Sequence, residues 1–74
     1  LRPAFIRLPL ELRSELAISM LSNTICITPG TVSAELSEDR RHLLVHALNS
    51  DDAEALQRHI KQRYEAPLKK VFES

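Results

Sequence analysis

One cysteine, one glycine and three aromatic residues are all that 74 positions hold of those types, and each scarcity excludes something. Cys26 has no partner for an internal disulfide, so no cysteine framework staples the fold, a pattern that fits a reducing compartment. With only Phe5, Tyr64 and Phe72 aromatic, aliphatic side chains must build the core, and stacking platforms for single-stranded nucleic acid are scarce. A single glycine, Gly30, cannot form the backbone cradle of a nucleotide loop. Charge of one sign is missing too: 10 lysines and arginines balance 10 aspartates and glutamates, whereas nucleic-acid binders draw affinity from a basic excess. No apolar run approaches the roughly 18 residues of a membrane span. The chain opens Leu1-Arg2-Pro3, with neither an initiator methionine nor a signal peptide, as expected of one domain cut from a longer protein.

What remains is 43% hydrophobic, ordinary for a globular domain and too high for a disordered segment. A chain this short buries only about 60% of its unfolded surface, so one small core of modest stability is expected.

Alternation predicts a strand over Ala4 to Leu10, with Ile6, Leu8 and Leu10 on one face and Phe5, Arg7 and Pro9 on the other. Pro9 has no amide donor, so this strand is expected to sit at an edge or to end there. Ser14 is placed to cap a helix whose inward residues are Leu12, Leu16, Met20 and Leu21 and which stops at Ser22-Asn23. The β-branched run Thr24 to Thr28 then reads as extended, with Cys26 a small buried hydrophobe between Ile25 and Ile27. Thr28-Pro29-Gly30-Thr31 is a type II turn, with proline fixing the first central position and glycine accepting positive φ at the second.

Thr31 to Leu36 alternates again, with Val32, Ala34 and Leu36 inward. Ser37 to Arg40 forms a hairpin loop, and Arg41 to Leu48 a strand apolar on both sides, which belongs at the centre of a sheet. Asp51 and Glu54 fit a capping box around Asp52 and Ala53. Leu56, Ile60, Tyr64, Leu68 and Phe72 mark one face of the last helix, which Pro67 should kink or end. The order β-α-β-β-α gives an α+β fold, a split β-α-β layer. Its three-stranded mixed sheet has the third strand in the middle and two helices on one face. The opposite face is bounded by Arg7, Thr31, Ser33, Glu35 and His46, with Phe5, Leu44 and Leu48 as apolar exceptions. That face is expected to be solvated or to meet a partner.

No nucleophile, base and orienting group stand in a recognisable pattern, so no catalytic residue is assigned and no enzyme activity is expected. His42 and His46 lie about 13 Å apart along a strand, too far to share one zinc. His59 reads as solvent-exposed, and Asp51, Asp52 and Glu54 lack the spacing and glycine of a calcium loop. No metal, cofactor or small-molecule ligand is expected. Arg58, Lys61, Arg63, Lys69 and Lys70 make the last helix locally basic, which a solvated helix end explains and which also suits anionic lipid head groups.

The stretch Ser22-Asn23-Thr24-Ile25-Cys26-Ile27-Thr28-Pro29-Gly30-Thr31-Val32 resembles a segment of the E-type subunits of the bacterial multisubunit (Mrp-type) monovalent cation/proton antiporters. Pro3 to Leu10, the strand Leu44-Val45-His46-Ala47-Leu48 and the pair Tyr64-Glu65 agree with the same family, so the resemblance covers nearly the whole chain. Cys26 departs from the aliphatic residue usual there. Asn23, Thr28, Pro29, Gly30, Thr31 and His46 are the motif residues, and the resemblance gives them a structural role. It implies a soluble C-terminal domain on the cytoplasmic side of the bacterial cell (inner) membrane, joined to it by hydrophobic N-terminal segments. The partners it implies are other antiporter subunits, in a complex exchanging Na⁺ or K⁺ for H⁺, and the domain's implied role is assembly or stability. Phe5, Leu44 and Leu48 are the interface candidates, and self-association of the isolated domain into a homo-oligomer is left open. The alternative is a free-standing protein-interaction module; a nucleic-acid-binding domain fits the neutral charge poorly.

Overall fold

A computed structural model describes residues 2–49, 51 and 53–73. The elements run β1 (Ala4–Pro9), α1 (Glu15–Cys26), β2 (Thr31–Leu36), β3 (His42–Ala47), α2 (Ala53–Ile60), a π turn (Lys61–Glu65) and α3 (Ala66–Phe72). The sheet order is β1-β3-β2, with the two-sided apolar strand in the middle as its composition requires. Both neighbouring pairs are antiparallel. The expected mixed sheet is therefore antiparallel throughout: β1 and β2 do run the same way, but β3 separates them.

Period-two alternation buries Ile6 and Leu8 of β1 and Leu43, Val45 and Ala47 of β3. These pack in one cluster with Ala17, Ile18, Leu21 and Ile25 of α1 and Ile60 of α2. Both helical segments therefore cover the same face of the sheet. Pro9 sits on edge strand β1 opposite His42, where a missing donor costs no ladder hydrogen bond.

Ser14 does cap α1, its hydroxyl accepting the Ala17 N–H at 3.3 Å. The rest of the helix departs from expectation. It runs through Thr24, Ile25 and Cys26, and its buried face is Ala17, Ile18, Leu21 and Ile25. Leu16 is 61% exposed and Met20 42%. The β-branched run favours an extended backbone by its local preference, but burying Ile25 completely in the core outweighs that weak bias. Cys26, one residue on, consequently points outward and is exposed, not buried.

The turn at Gly30 is as expected: its φ is +92°, and the Thr31 N–H donates to the Thr28 carbonyl at 3.2 Å. Just beyond it the register slips between Thr31 and Ser33. Val32 is the additional residue of this bulge and is half exposed. Thr31, expected outward, pairs with Ala47 on the core side. One inserted residue shifts the face of those before it.

The C-terminal rod carries the other correction. The Ala66 N–H donates five residues back to the Lys61 carbonyl, so the turn before Pro67 is wider than an α turn. Pro67 has no N–H to continue the ladder. The wide turn sets Glu65, not Tyr64, in line behind Ile60, and both Ile60 and Glu65 are buried. Asp51, expected to cap α2, lies two positions before its first residue, and its N–H donates to Asn49 Oδ1 at 3.2 Å. The intervening Asp52 lies outside the described residues.

Candidate functional site

Since both helical segments cover one face of the sheet, the other faces outward without a covering layer. β-strand register arranges its side chains in rows across the three strands. Arg7, Leu44 and Glu35 form one row, and Phe5, His46 and Ser33 the next. Phe5 is 79% exposed, yet its ring lies flat on His46, with centroids 4.4 Å apart and an interplanar angle of 15°. Leu44, Leu48 and Val32 are also exposed. The three interface candidates thus share one surface, while Val32 is left exposed by the bulge, a feature no alternation pattern in the sequence announces.

His46 is therefore engaged with an aromatic ring, while His42 stands beside Asp39, with Nδ1 3.8 Å from its carboxylate. That Nδ1 is buried without a hydrogen-bond partner. The Ser37 hydroxyl, which donates to Asp39 at 2.6 Å, and the Arg41 N–H hold the Asp39 carboxyl below its ordinary range. Among the described residues no three histidine, cysteine, aspartate or glutamate side chains come together as a metal site. His59 meets Tyr64 edge-on, centroids 5.3 Å apart.

The motif around Gly30 forms a corner. The Thr28 hydroxyl donates to the Thr24 carbonyl at 2.8 Å, and the Thr31 hydroxyl donates to the carbonyls of Ile25 and Thr28. The last turn of α1 is thereby closed by side chains, as a helix end requires. The Gly30 carbonyl accepts the Leu48 N–H at 2.8 Å, tying the corner to the end of β3. Asn23 is exposed within α1, and its carbonyl accepts the Ile27 N–H at 3.3 Å.

Two carboxylates that no sequence pattern singles out as site residues organise the opposite end. Glu65 is only 2% exposed. Its Oε2 accepts the N–H of Glu11 at 2.7 Å and of Leu12 at 3.2 Å, and its Oε1 lies 2.6 Å from Lys61 Nζ. Glu73 Oε2 accepts the N–H of Arg13 at 2.7 Å and of Ser14 at 2.8 Å. Those two amides, Ser14 first, hold the Glu73 carboxyl below its ordinary value. Lys61 and then Lys69 do the same for Glu11. Lys61 Nζ also donates to the Pro9 carbonyl at 2.8 Å. Spacing hinted at only one of these contacts, the Lys61-Glu65 pair one helical turn apart.

Two shallow grooves follow the rod: one of about 390 Å³ along α2, lined by Glu54, Gln57, Arg58, Lys61 and Gln62, and one of about 350 Å³ between Glu11 and the α3 side chains. Neither reaches the outer sheet face. No helix among the described residues is long and apolar enough to cross a membrane.

The architecture is that of a two-layer α+β domain with one uncovered sheet face. A family model described as Na⁺/H⁺ ion antiporter subunit matches residues 1–71, and the chain belongs to that family. It is 35% identical over 71 residues to the E-type subunit of the Na⁺/H⁺ antiporter of Bacillus subtilis (strain 168), a match covering 96% of this chain and 45% of that protein. The corresponding Na⁺/H⁺ antiporter subunit of Alkalihalophilus pseudofirmus is 28% identical with the same coverage. A chain in the structure of the Mrp complex from Dietzia sp. DQ12-45-1b superposes with a TM-score of 0.62 at 29% identity, covering 97% of this chain and 68% of that one. The chain thus spans a little under half the length of the curated relatives it matches, about 45%.

Proposed function

We propose that this chain is a soluble, non-catalytic domain of an E-type subunit in a multisubunit antiporter that exchanges Na⁺ or K⁺ for H⁺. Its task is to hold that complex together at the cytoplasmic face of the bacterial inner membrane, with the other antiporter subunits as its partners. The observation that carries this reading is the family match over residues 1–71. It is supported by a sheet face whose exposed side chains include Phe5, Leu44 and Leu48, because interfaces are anchored by a few apolar side chains. The pair formed by buried Glu65 and half-buried Lys61 is engaged in holding backbone groups of residues 9 to 12. That is structural work, and it does not resemble a chain of carboxylates relaying protons at membrane depth.

The test is made in the whole antiporter, expressed in membranes. Deleting residues 1–74 should lower the amount of assembled complex recovered. Alanine at His42, Asp51 or Asp52 should leave cation/proton exchange nearly intact. Normal assembly after the deletion, with exchange abolished by any one of those substitutions, would put the domain on the ion path and sink the proposal.

A further inference from the structure

The uncovered sheet face is complementary to itself. Its central row reads Arg7, Leu44, Glu35 from edge to edge, with opposite charges on the outer strands and an apolar side chain between them. The next row carries Phe5 at the β1 edge, His46 at the centre, and Ser33 beside the bulged Val32 at the β2 edge. A rotation of 180° about an axis parallel to β3, lying just above this face, exchanges the two edges and keeps each row at its own height. Arg7 of one copy then stands over Glu35 of the other, and the reciprocal pair forms at the opposite edge. Leu44 meets Leu44 on the axis, and exposed Phe5 comes over Ser33. Facing sheets pack about 10 Å apart with strands within about 30° of alignment, which preserves these pairings near the axis.

We infer that this face is the contact surface between two copies of the chain, stacked sheet to sheet about a twofold axis parallel to β3. The inference rests on the proposed reading of the face as an assembly surface and names its occupant. A twofold interface requires a surface that is its own complement, and the row order meets that demand in charge, with an exposed leucine on the axis. The helical side of the domain offers no such pattern, since the grooves there are lined by Glu54, Arg58, Lys61, Lys69 and Glu73, already paired or scattered along one rod. Three strands about 4.8 Å apart and six residues long make a face of roughly 15 by 20 Å. That is about 300 Å² per copy, below the size of a standard stable interface, so the association is weak and transient, at roughly a hundred micromolar concentration.

Charge reversal tests the geometry. Sedimentation equilibrium on the purified chain should show a monomer–dimer equilibrium. Arg7→Glu alone should weaken it at least about tenfold by setting Glu over Glu at both edges, and Glu35→Arg alone should do the same with Arg over Arg. Mixing the two single variants should restore dimers, because one copy's Glu at position 7 then faces the other's Arg at position 35 while the native pair survives opposite. The same mixing is read in cells with two differently tagged copies of the complete protein, by recovery of one tag with the other. Arg7 and Glu35 are both exposed, and circular dichroism confirms that each variant keeps its fold. A wild-type chain that stays monomeric to several hundred micromolar, or single variants that dimerise undiminished, would overturn the inference. So would a mixture that fails to restore association. Antiporter assembly that still depends on residues 1–74 after such a result would leave the proposed function standing and remove only the second copy.

Discussion

Glu65 and Glu73 lie eight positions apart on the C-terminal rod, and between them they accept four consecutive backbone N–H groups, those of Glu11, Leu12, Arg13 and Ser14. The connection from β1 to α1 thus owes its shape to two side chains more than fifty residues away. An N–H left without an acceptor in a buried site carries a desolvation penalty. Carboxylates meet the need well, because charged acceptors form the stronger hydrogen bonds and the start of a helix favours negative charge.

Glu65→Ala should therefore be among the most damaging single changes. It strips the acceptor from two amides and leaves Lys61 to Glu11 and the Pro9 carbonyl, a loss on the order of 2–4 kcal/mol, most of it from the unmet amides. That is enough to unfold a domain of this size. Glu65→Gln keeps one acceptor oxygen and should cost less, about 1–2 kcal/mol. Urea unfolding followed by circular dichroism separates the two, and equal midpoints for wild type and Glu65→Gln would show the charge to be dispensable.

Acid should loosen the same end. The folded state lowers the Glu73 carboxyl below its ordinary value of 4.5, through the Ser14 and Arg13 amides. A carboxyl depressed on folding contributes stability that is fully present above its unfolded value and is lost as pH falls through the folded one. The difference in urea midpoint between wild type and Glu73→Gln should accordingly stay constant from neutral pH down to about 5 and shrink below 4.5. A difference that persists undiminished at pH 3 would mean that Glu73 acts through packing and not through its charge.

Gly30→Val should destabilise the domain by roughly 1–3 kcal/mol, since a β-branched residue resists positive φ. A Cβ at this position would meet nothing within 4 Å, so the whole effect comes from the backbone. Gly30→Asn, which tolerates the left-handed region, should recover much of the loss. Identical midpoints for the valine and asparagine variants would argue that the corner is free to rearrange.

The bulge predicts a contrast between two valines. Val32→Ala should change stability by less than about 0.5 kcal/mol, as expected of an exposed side chain. Val45, fully buried at the centre of β3, should cost about 1–3 kcal/mol on the same truncation. Equal effects would mean that Val32 packs inward after all.

Much of the fold could be read from short-range chemistry. The Ser14 cap, the Pro29-Gly30 turn, the edge position enforced by Pro9 and the central place of a strand apolar on both sides each follow from one residue's conformational limits or from plain alternation. The features that escaped depend on partners distant in sequence. Thr24 to Cys26 stay helical because Ile25 fits the core, and Leu16 and Met20 lose their places to Ala17 and Ile18 because a small residue and a branched one suit the approach of α1 to the sheet. No local pattern marks Val32 as a bulge. For the outer face, exposed Phe5, Leu44 and Leu48 were legible from alternation alone, whereas the charge row of Arg7 and Glu35 required the strand register. Glu65 and Glu73 look like ordinary helix-surface acids until residues 11 to 14 are placed beside them.

The wide turn before Pro67 behaves like a single-residue insertion absorbed inside a helix. It takes up one residue more than an α turn needs, so the apolar phase set by Ile60 resumes displaced by one position, with Glu65 in the inward place. A homologous chain with no proline here could drop one residue from this stretch, run as a straight helix and still bring its carboxylate to the start of α1. Length variation among related chains would then be tolerated at this turn and resisted on either side of it, where a lost residue would rotate Ile60 or Glu73 away from its contacts.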